Sequence, residues 1–416
     1  MSNQIKFPIS EECSEECFDV VVIGCGVSGS TLGAYLAASG VSVLAIEKES
    51  FPRYHIGESL TGMVGTILAE LGLETEMSQH QFPVKGGVKV LGRDAKSEFF
   101  VPVLRPTWQV RREEFDRMLL DKAIEFGIEH RYGTVKEILK EADKVVGVKY
   151  IPKGEEKAIK IRAKVVADAS GQSTFLSRQK VAGERRNYDT FKKQVAVFTQ
   201  FKDAIRDPGA MGNNTFLFYA QLYHWAWFIP ISEDTVSIGI VVPTSKMAEC
   251  GGKQEVLEWG LENINPDLKR RVENLSYGTV RTISNYSYSV DPFVGNGWLC
   301  VGDAHRFCDP IFSFGVSLGM VEAKQASIAI NKALADNNYT HHFQEYATFC
   351  NRGQNVAQDL VLYFWQYPTF FGYQAKSTLR KDIVHLLGGD IHQVEEFPAI
   401  KMMRQALTKE LSIKSA

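Results

Sequence analysis

The chain of 416 residues lacks three features that mark common classes of protein. It has no apolar run of 18 residues, so we expect no membrane-spanning helix. Its first 17 residues are polar and acidic, without the basic start and apolar middle of a signal peptide, and we expect residues 1–17 to be a flexible tail. Lys and Arg number 47 against 49 Asp and Glu, a formal net charge of −2, so no basic excess favours nucleic acid.

Cysteine is scarce, and its 7 residues are scattered along the chain. An odd, scattered set in a chain of this length indicates reduced thiols and a cytoplasmic protein rather than a disulfide framework. No CxxC or HxxxH spacing is present, and we predict no metal site. Hydrophobic residues at 44% and charged residues at 23% are typical of a globular protein. The length suggests two or three domains, or one large α/β domain with insertions.

The chain near its start has the pattern of a βαβ unit. Residues 18–24 form an apolar run that ends in glycine, which predicts a buried strand. Residues 27–39 have apolar and small residues at helical spacing, followed by Gly40 where a helix commonly ends. Residues 41–47 are a second apolar run, so we expect two parallel strands joined by a helix.

This unit contains a GxGxxG sequence between the first strand and the helix. The first glycine, Gly24, permits a tight turn, Gly26 lets the backbone approach a pyrophosphate, and Gly29 permits close helix packing. Glu47 ends the second strand, 18 residues after Gly29, where it can accept hydrogen bonds from ribose hydroxyls. The unit alone does not separate FAD from NAD. Its predicted binding residues are Gly24, Gly26, Val27, Ser28, Gly29, Glu47 and Lys48.

The remaining pattern predicts an α/β protein with a Rossmann-like nucleotide domain, an inserted mixed sheet and a C-terminal helical region. Residues 112–127 read as an amphipathic helix, residues 133–168 as a small antiparallel meander, and residues 194–242 as strands. The nucleotide part is predicted at about 18–80, 111–190 and 280–340, and the sheet part at about 81–110 and 191–279. The last part, 341–416, is predicted to be a helical lid.

Two later segments favour FAD. The segments VADASG (166–171) and CVGDAHRFCDP (300–310) resemble motifs of flavoprotein monooxygenases. The resemblance implies that Asp168 lies near the dinucleotide, that Gly302 and Asp303 meet the ribityl chain, and that Arg112 lies near the flavin. Because no second GxGxxG is present, we expect a separate flavin reductase to supply FADH2.

Three further motifs resemble those of flavin-dependent halogenases. They are WAWFIP (225–230), FCDPIFSFG (307–315) and FPVKGG (82–87), which match the patterns WxWxIP, FxxPxxSxG and FxxKxG. A fourth segment, GESL (57–60), is shared with halogenases and with geranylgeranyl reductases, and Phe51-Pro52-Arg53 precedes it.

The resemblance implies roles for the residues of these motifs. Reduced flavin, O2 and chloride or bromide would give hypohalous acid, which would pass through a tunnel to Lys85 for electrophilic halogenation. Lys85 would act as an ammonium donor or become a haloamine, and Ser313 would be the second catalytic residue. The amides of Phe314 and Gly315 would bind halide. Further residues are implied to bind or border the flavin: Arg53, Ser59, Trp225, Trp227, Pro230 and Pro310.

The substrate is expected to be an electron-rich aromatic. Tryptophan halogenases have a catalytic glutamate where this chain has Phe312, so free tryptophan is not expected. A phenol or a pyrrole, free or carried by an acyl or peptidyl carrier protein, is reactive enough without that carboxylate. His305, His224 and Glu58 are candidate bases, although each is better explained by a structural role.

Three alternatives stay open: a reductase similar to geranylgeranyl reductase, a monooxygenase that does not halogenate, and a non-catalytic flavoprotein. For the lid, we expect Tyr367 or Phe370 to contact the substrate, because the cluster around them is rich in aromatic rings.

Overall fold

The computed structural model describes residues 16–93, 98–187, 193–377, 379–392 and 397–414. Most of the predicted N-terminal tail, residues 1–15, lies outside these ranges. The fold is α/β, as predicted, with two large sheets and an outer set of helices.

The strands, numbered in chain order, fall into three sheets. They are β1 (Glu16–Ile23), β2 (Val43–Glu47), β3 (Gly87–Leu91), β4 (Glu98–Pro102), β5 (Glu129–Glu141), β6 (Lys144–Pro152), β7 (Ile159–Asp168), β8 (Arg185–Asn187), β9 (Gln194–Lys202), β10 (Thr215–Gln221), β11 (His224–Pro230), β12 (Thr235–Pro243), β13 (Arg281–Ser284), β14 (Tyr288–Val290), β15 (Val294–Gly295), β16 (Trp298–Cys300) and β17 (Arg306–Phe307).

The helices are distributed along the chain, with the two longest near the C-terminal end. They are α1 (Val27–Ala38), α2 (Gly62–Glu70), α3 (Glu74–Gln79), α4 (Arg112–Glu125), α5 (Phe175–Arg178), α6 (Ser245–Cys250), α7 (Lys253–Asn263), α8 (Pro266–Val272), α9 (Phe314–Asp336), α10 (Tyr339–Gln366), α11 (Pro368–Gln374), α12 (Arg380–Leu387) and α13 (Pro398–Lys414).

The first sheet has a parallel core in the order β5-β2-β1-β7-β16. The βαβ prediction is confirmed, because β1 and β2 are parallel with Val20 opposite Val43. Residues 20–23 are buried, as expected for a central strand covered on both faces. Helix α1 packs between α4 and α9, which places the glycine turn after β1 at the carboxyl edge of this sheet.

The second sheet has the order β13-β9-β12-β11-β10-β3-β4. Its strand pairs are antiparallel except β3 with β10, where Val88 lies opposite Thr215. One face of the sheet packs against α9 to α12 through a cluster of buried aromatic and aliphatic side chains. This face therefore packs against the N-terminal part of α9.

Helix and strand boundaries agree with the sequence pattern within a few residues. The helix expected over 112–127 is α4, and the GD motif at 302–303 lies in the 3₁₀ turn Gly302–Ala304 that follows β16. Across the described residues, no helix has the length and apolar character needed to cross a bilayer.

Candidate active site

A cleft of about 1280 Å³ runs from the glycine turn after β1 to the N-terminus of α9. This volume exceeds the ~300–1,000 Å³ of sites for drug-sized ligands, so the cleft can hold an extended dinucleotide. Most of the residues predicted for cofactor binding line it: Gly24, Gly26, Val27, Ser28, Glu47, Lys48, Arg53, Ser59, Arg112, Trp225, Trp227, Asp303, Pro310, Ser313 and Gly315.

The glycine turn has the close contacts that its sequence requires. Gly24 has φ +95°, and a Cβ there would lie 2.7 Å from the carbonyl oxygen of Ala169. A Cβ on Gly29 would lie 1.9 Å from the carbonyl oxygen of Gly24. A Cβ on Gly26 would instead point at Nη2 of Arg53, 3.2 Å away. The open side of the turn is therefore covered by a guanidinium group.

The start of α1 offers a second group for an anion. Its N-cap residue, Gly26, has no side chain to bind the amides of the first turn, so these amides are free for a ligand. The dipole of the helix and the nearby Arg53 favour a negative charge at the same place. The arrangement fits a pyrophosphate.

Glu47 lies at the cleft end of β2 and is buried. Its carboxylate accepts hydrogen bonds from the backbone N–H of Cys25 at 2.8 Å and of Glu49 at 2.9 Å. These bonds fix the carboxylate in place, and each oxygen keeps a lone pair for a ribose hydroxyl.

Asp303 lies in the 3₁₀ turn after β16, half-buried and lining the cleft. Burial raises the pKa of Asp303 to about 7, although Arg112 acts in the opposite direction. Gly302 has φ +60°, and a Cβ there would lie 2.5 Å from Oγ of Ser28. The turn therefore packs directly against the start of α1.

A buried glutamate that the sequence analysis did not identify binds the backbone of this turn. Glu322 of α9 accepts hydrogen bonds from the backbone N–H of Gly302 at 2.8 Å and from Nε2 of Gln354 at 2.9 Å. Nε2 of His305 lies 2.9 Å from the same carboxylate. A glutamate in a helical pattern is normally exposed, so no local signal identified it.

Two predicted cofactor residues are engaged within the protein. Arg112 bonds Asp116 through Nε at 2.6 Å and the carbonyl oxygen of Ile56 through Nη1 at 2.7 Å, and it borders the cleft. Asp168 does not line the cleft, in contrast to Glu47 and Asp303. Its oxygens accept from the N–H of Ser170 and Leu176 at 2.9 and 2.7 Å, so it shapes the loop that does line the cleft.

The N-terminus of α9 faces the cleft at Ser313 and Gly315. Ser313, the N-cap, has φ +59° and no side-chain capping bond, so the first amides of this 23-residue helix are free. Phe314 is buried beside them and does not line the cleft. A Cβ on Gly315 would meet only the Phe307 ring, at 3.4 Å.

The two tryptophans of β11 form one wall of the cleft. Their ring centroids are 5.9 Å apart, both side chains are buried, and Nε1 of Trp227 donates to Oγ of Ser237 at 3.2 Å. Pro230 ends the same strand and does not line the cleft. Of the predicted flavin-side residues, Trp225, Trp227 and Pro310 thus line the cleft.

Lys85 is the most unusual side chain near the cleft, because it is only 3% exposed. Its Nζ donates to Oγ of Ser59 and to the carbonyl oxygen of Leu60, both at 2.8 Å. Among the described residues no carboxylate pairs with this Nζ, and burial lowers the pKa of Lys85 to about 7. A buried amine without a counter-ion is costly, which makes Lys85 a candidate functional residue.

A chain of hydroxyl groups joins Lys85 to the cleft. Oγ of Ser59 is 2.8 Å from Oγ1 of Thr215, which accepts from Nε2 of Gln109 at 2.8 Å. Ser59 and Thr215 line the cleft and Lys85 does not, so the amine lies behind this pair. No motif pointed to Thr215 or Gln109, because three separate segments meet here only in the folded chain.

Of the three candidate bases, Glu58 alone lines the cleft among the described residues. Burial raises the pKa of Glu58 to about 7, opposed by the nearby Ser237 hydroxyl and Arg112, and neither carboxyl oxygen has a hydrogen bond of good geometry. His305 is held by Glu322, and His224 packs edge-on against Trp259. Lys89, near Lys85 in sequence, pairs with Glu98 at 3.1 Å.

The aromatic residues of the C-terminal helices differ in how deeply they are buried. Phe371, which is fully buried, stacks on Phe312 with centroids 5.6 Å apart, directly next to Ser313. Tyr367 is half-buried and packs on Tyr363, and Phe370 is 63% exposed. Phe371, rather than Phe370, is therefore the ring of α11 that faces the active-site loop.

Comparisons with known proteins agree with this geometry. The family described as FAD binding domain matches residues 17–361. A 1H-pyrrole-2-carbonyl-[peptidyl-carrier protein] brominase of Pseudoalteromonas luteoviolacea (strain 2ta16) is 47% identical over 94% of this chain and 96% of its own length. A 1H-pyrrole-2-carbonyl-[peptidyl-carrier protein] chlorinase of Pseudomonas fluorescens is 29% identical over 95% of this chain and 94% of its own. The structure of the flavin-dependent brominase Bmp2 superimposes with a TM-score of 0.92 at 45% identity, covering 96% of this chain and 100% of that one.

Proposed function

Because this chain belongs to the FAD-binding-domain family and, within it, to the flavin-dependent halogenases, we propose that it halogenates a pyrrole ring carried as a thioester by a peptidyl carrier protein. Two relatives that match nearly all of the chain are named for this substrate class. Phe312 stands where tryptophan halogenases have a carboxylate, which is consistent with a ring that needs no such activation.

The cleft has groups suited to FAD both at the glycine turn after β1 and near the start of α9. The free amides at the start of α1 and the Arg53 guanidinium would hold its pyrophosphate, Glu47 a ribose, and Asp303 the ribityl hydroxyls. We propose that a separate reductase supplies reduced FAD. Together, reduced FAD and O2 would oxidise halide to hypohalous acid. The buried tryptophans of β11 would keep the substrate ring out of the cleft.

The start of α9 is suited to a halide ion. The free amides of Phe314 and Gly315 and the N-terminal end of a long helix together favour a small anion. Gly315 has no side chain to block the approach from the cleft, since a Cβ there would meet only Phe307. We therefore assign halide binding to these two amides, with Ser313 fixing the turn.

Lys85 is the residue to which we assign halogen transfer. As a free amine, its Nζ would attack the halogen of hypohalous acid, form an N–halogen bond and release water. The halogen would then pass to a ring carbon, the ring would lose its proton, and the amine would be restored. The Ser59–Thr215 pair lies between the cleft and Nζ. Its hydroxyl groups would form hydrogen bonds to hypohalous acid as it moves from the cleft to the amine.

The observation that carries this proposal is the burial of Lys85 with only Ser59 and Leu60 as partners. The test is Lys85→Met, which preserves length and removes the amine. We expect this variant to bind FAD and to oxidise reduced flavin at the wild-type rate, but to give no halogenated product by mass spectrometry. Lys89→Met is the matched control and should halogenate normally, because Lys89 of β3 is paired with Glu98 of β4. Product formation by Lys85→Met would remove the assignment.

A further inference from the structure

A stripe of exposed side chains lies on α11 and the turn that follows it. Phe370 is 63% and Tyr373 69% exposed, and Lys376 continues the stripe at the same spacing of three residues. The backbone N–H of Lys376 donates to the carbonyl oxygen of Tyr373, so the helical turn continues to this residue. Nη1 of Arg380 donates to the carbonyl oxygen of Ala375 at 2.9 Å, which holds a second cation beside the stripe. We call Phe370, Tyr373, Lys376 and Arg380 the aromatic-basic patch.

The patch lies on the solvent side of α11, whose opposite side packs against the active-site loop at Phe312. Phe371, between its two aromatic residues, is fully buried and stacks on Phe312. The same ring contacts Phe99 of β4, with centroids 6.2 Å apart. One short helix thus presents Phe371 to the interior and Phe370 and Tyr373 to solvent.

The seam between β4 and the C-terminal helices runs beside the patch. Across it, Nη1 of Arg380 reaches the carbonyl oxygen of Phe100 at 3.4 Å, and a Cβ on Gly372 would lie 3.4 Å from the Phe99 ring. At the other end of the β3–β4 hairpin, Lys85 precedes β3 and lies behind Ser59. The hairpin thus runs from the seam beside the patch to the segment that contains Lys85.

The composition of the patch indicates the chemistry of a partner. Two adjacent exposed rings form an apolar surface of the kind found at protein interfaces, where aromatic and arginine side chains are enriched. Among the described residues no carboxylate pairs with Lys376 or Arg380, and the nearby Asp382 accepts instead from the N–H of Ala399. The surface therefore offers apolar contact together with unneutralised positive charge.

We propose that the aromatic-basic patch is the docking surface for an acidic carrier protein, whose pantetheine arm enters through the seam between β4 and α11–α12. This inference rests on the proposed carrier-bound substrate and adds where the carrier binds. The rings of Phe370 and Tyr373 contact the carrier, and Lys376 and Arg380 face its acidic side chains and the phosphodiester of the arm. The thioester-bound pyrrole then approaches Lys85 along the β3–β4 hairpin.

The test measures steady-state halogenation of a carrier protein loaded with the pyrrole thioester, at increasing carrier concentration. Two variants of the intact enzyme change the patch, Phe370→Ala and Lys376→Glu. Two matched controls make the same kinds of change elsewhere: Leu222→Ala, at an apolar residue that is 44% exposed, and Lys157→Glu, at an exposed lysine between β6 and β7. FAD affinity and melting temperature are measured for all four.

We expect each patch variant to raise KM for the loaded carrier roughly tenfold with kcat changed less than about twofold, and both controls to match wild type. The Lys376→Glu effect should shrink as salt is added, because it is electrostatic. Patch variants with the wild-type KM, while wild type halogenates the loaded carrier, would overturn the docking surface alone. A wild-type enzyme that halogenates free pyrroles but not the loaded carrier would overturn the carrier-bound substrate and with it this surface. A lower oligomeric mass of Phe370→Ala in sedimentation would assign the patch to contact between copies of this chain and would also overturn the proposal.

Discussion

Lys85 illustrates what a single residue's sequence neighbourhood can and cannot reveal. Its motif identified it by resemblance, whereas a lysine in a glycine-containing loop is normally exposed. Its burial depends on Ser59, Leu60 and Thr107, which belong to other segments. No pattern within 82–87 encodes those contacts, so the sequence predicted the residue and could not predict its environment.

The buried amine has a consequence for stability that does not involve catalysis. Burial lowers the pKa of Lys85 to about 7, so between pH 7 and about 10 the unfolded chain holds a proton there that the folded chain has lost. The stability of wild type should therefore rise with pH through this window, by up to about 1.4 kcal/mol per pH unit, relative to Lys85→Met. Urea unfolding of both proteins at pH 7, 8 and 9 measures the difference.

The control for this measurement is Lys89→Met, which should stay parallel to wild type at all three pH values because Lys89 is a half-buried, ion-paired lysine. Parallel curves for wild type and Lys85→Met would mean that the amine keeps its proton in the folded protein.

Gly26 provides the test of cofactor binding at the residue scale. A valine there would place its branched side chain against Arg53 and over the free amides of α1, where the pyrophosphate is expected. We expect Gly26→Val to raise the Kd for FAD at least ~100-fold, about 2.7 kcal/mol, and Gly26→Ala to have a smaller effect. Titration of FAD by fluorescence measures both, with melting temperature as the check on folding. If Gly26→Val bound FAD with wild-type affinity, the pyrophosphate would not bind at this turn.

At the scale of elements, local sequence patterns were sufficient to predict the strands and helices that have strong hydrophobic periodicity. The apolar run of β1, the glycine turn and α1 follow each other within 23 residues, so short-range rules predict them. The position of α11 is different, because it depends on packing against β4, α10 and the turn that contains Phe312. The sequence marked its aromatic residues without separating buried from exposed ones: Phe371 is fully buried and Phe370 is largely exposed, and the contact of Phe370 with the substrate stays a prediction.

Helix α11 gives a prediction that separates its two faces. Phe371→Ala removes a fully buried ring that contacts Phe99, Phe312 and Phe364, and should lower the free energy of unfolding by about 3–5 kcal/mol. Phe370→Ala should change it by less than about 0.5 kcal/mol, because its ring is mostly in solvent. Denaturant unfolding of the two variants measures this. Equal losses would mean that the helix is not oriented as described.

At the scale of the whole molecule, the α/β class and the insertion of a second sheet could be predicted because the GxGxxG unit and the later GD segment lie far apart in sequence. The parallel sheet confirms that pattern, with β1, β2, β7 and β16 drawn from separated segments. The hydroxyl chain between Lys85 and the cleft could not be predicted, since Gln109 and Thr215 come from different parts of the chain. Such sites form only when the two sheets are assembled.

The most direct test of the central claim is the mass of the product formed from a pyrrole thioester on its carrier protein. The reaction contains the purified chain, FAD, a flavin reductase, NADH, O2 and either chloride or bromide. We predict a product in which halogen replaces ring hydrogen, with the isotope pattern of the halide supplied, and no such product when the halide, the reductase or the Lys85 amine is absent. A halide-independent product that gains oxygen, or a reduced product, would contradict the assignment as a halogenase.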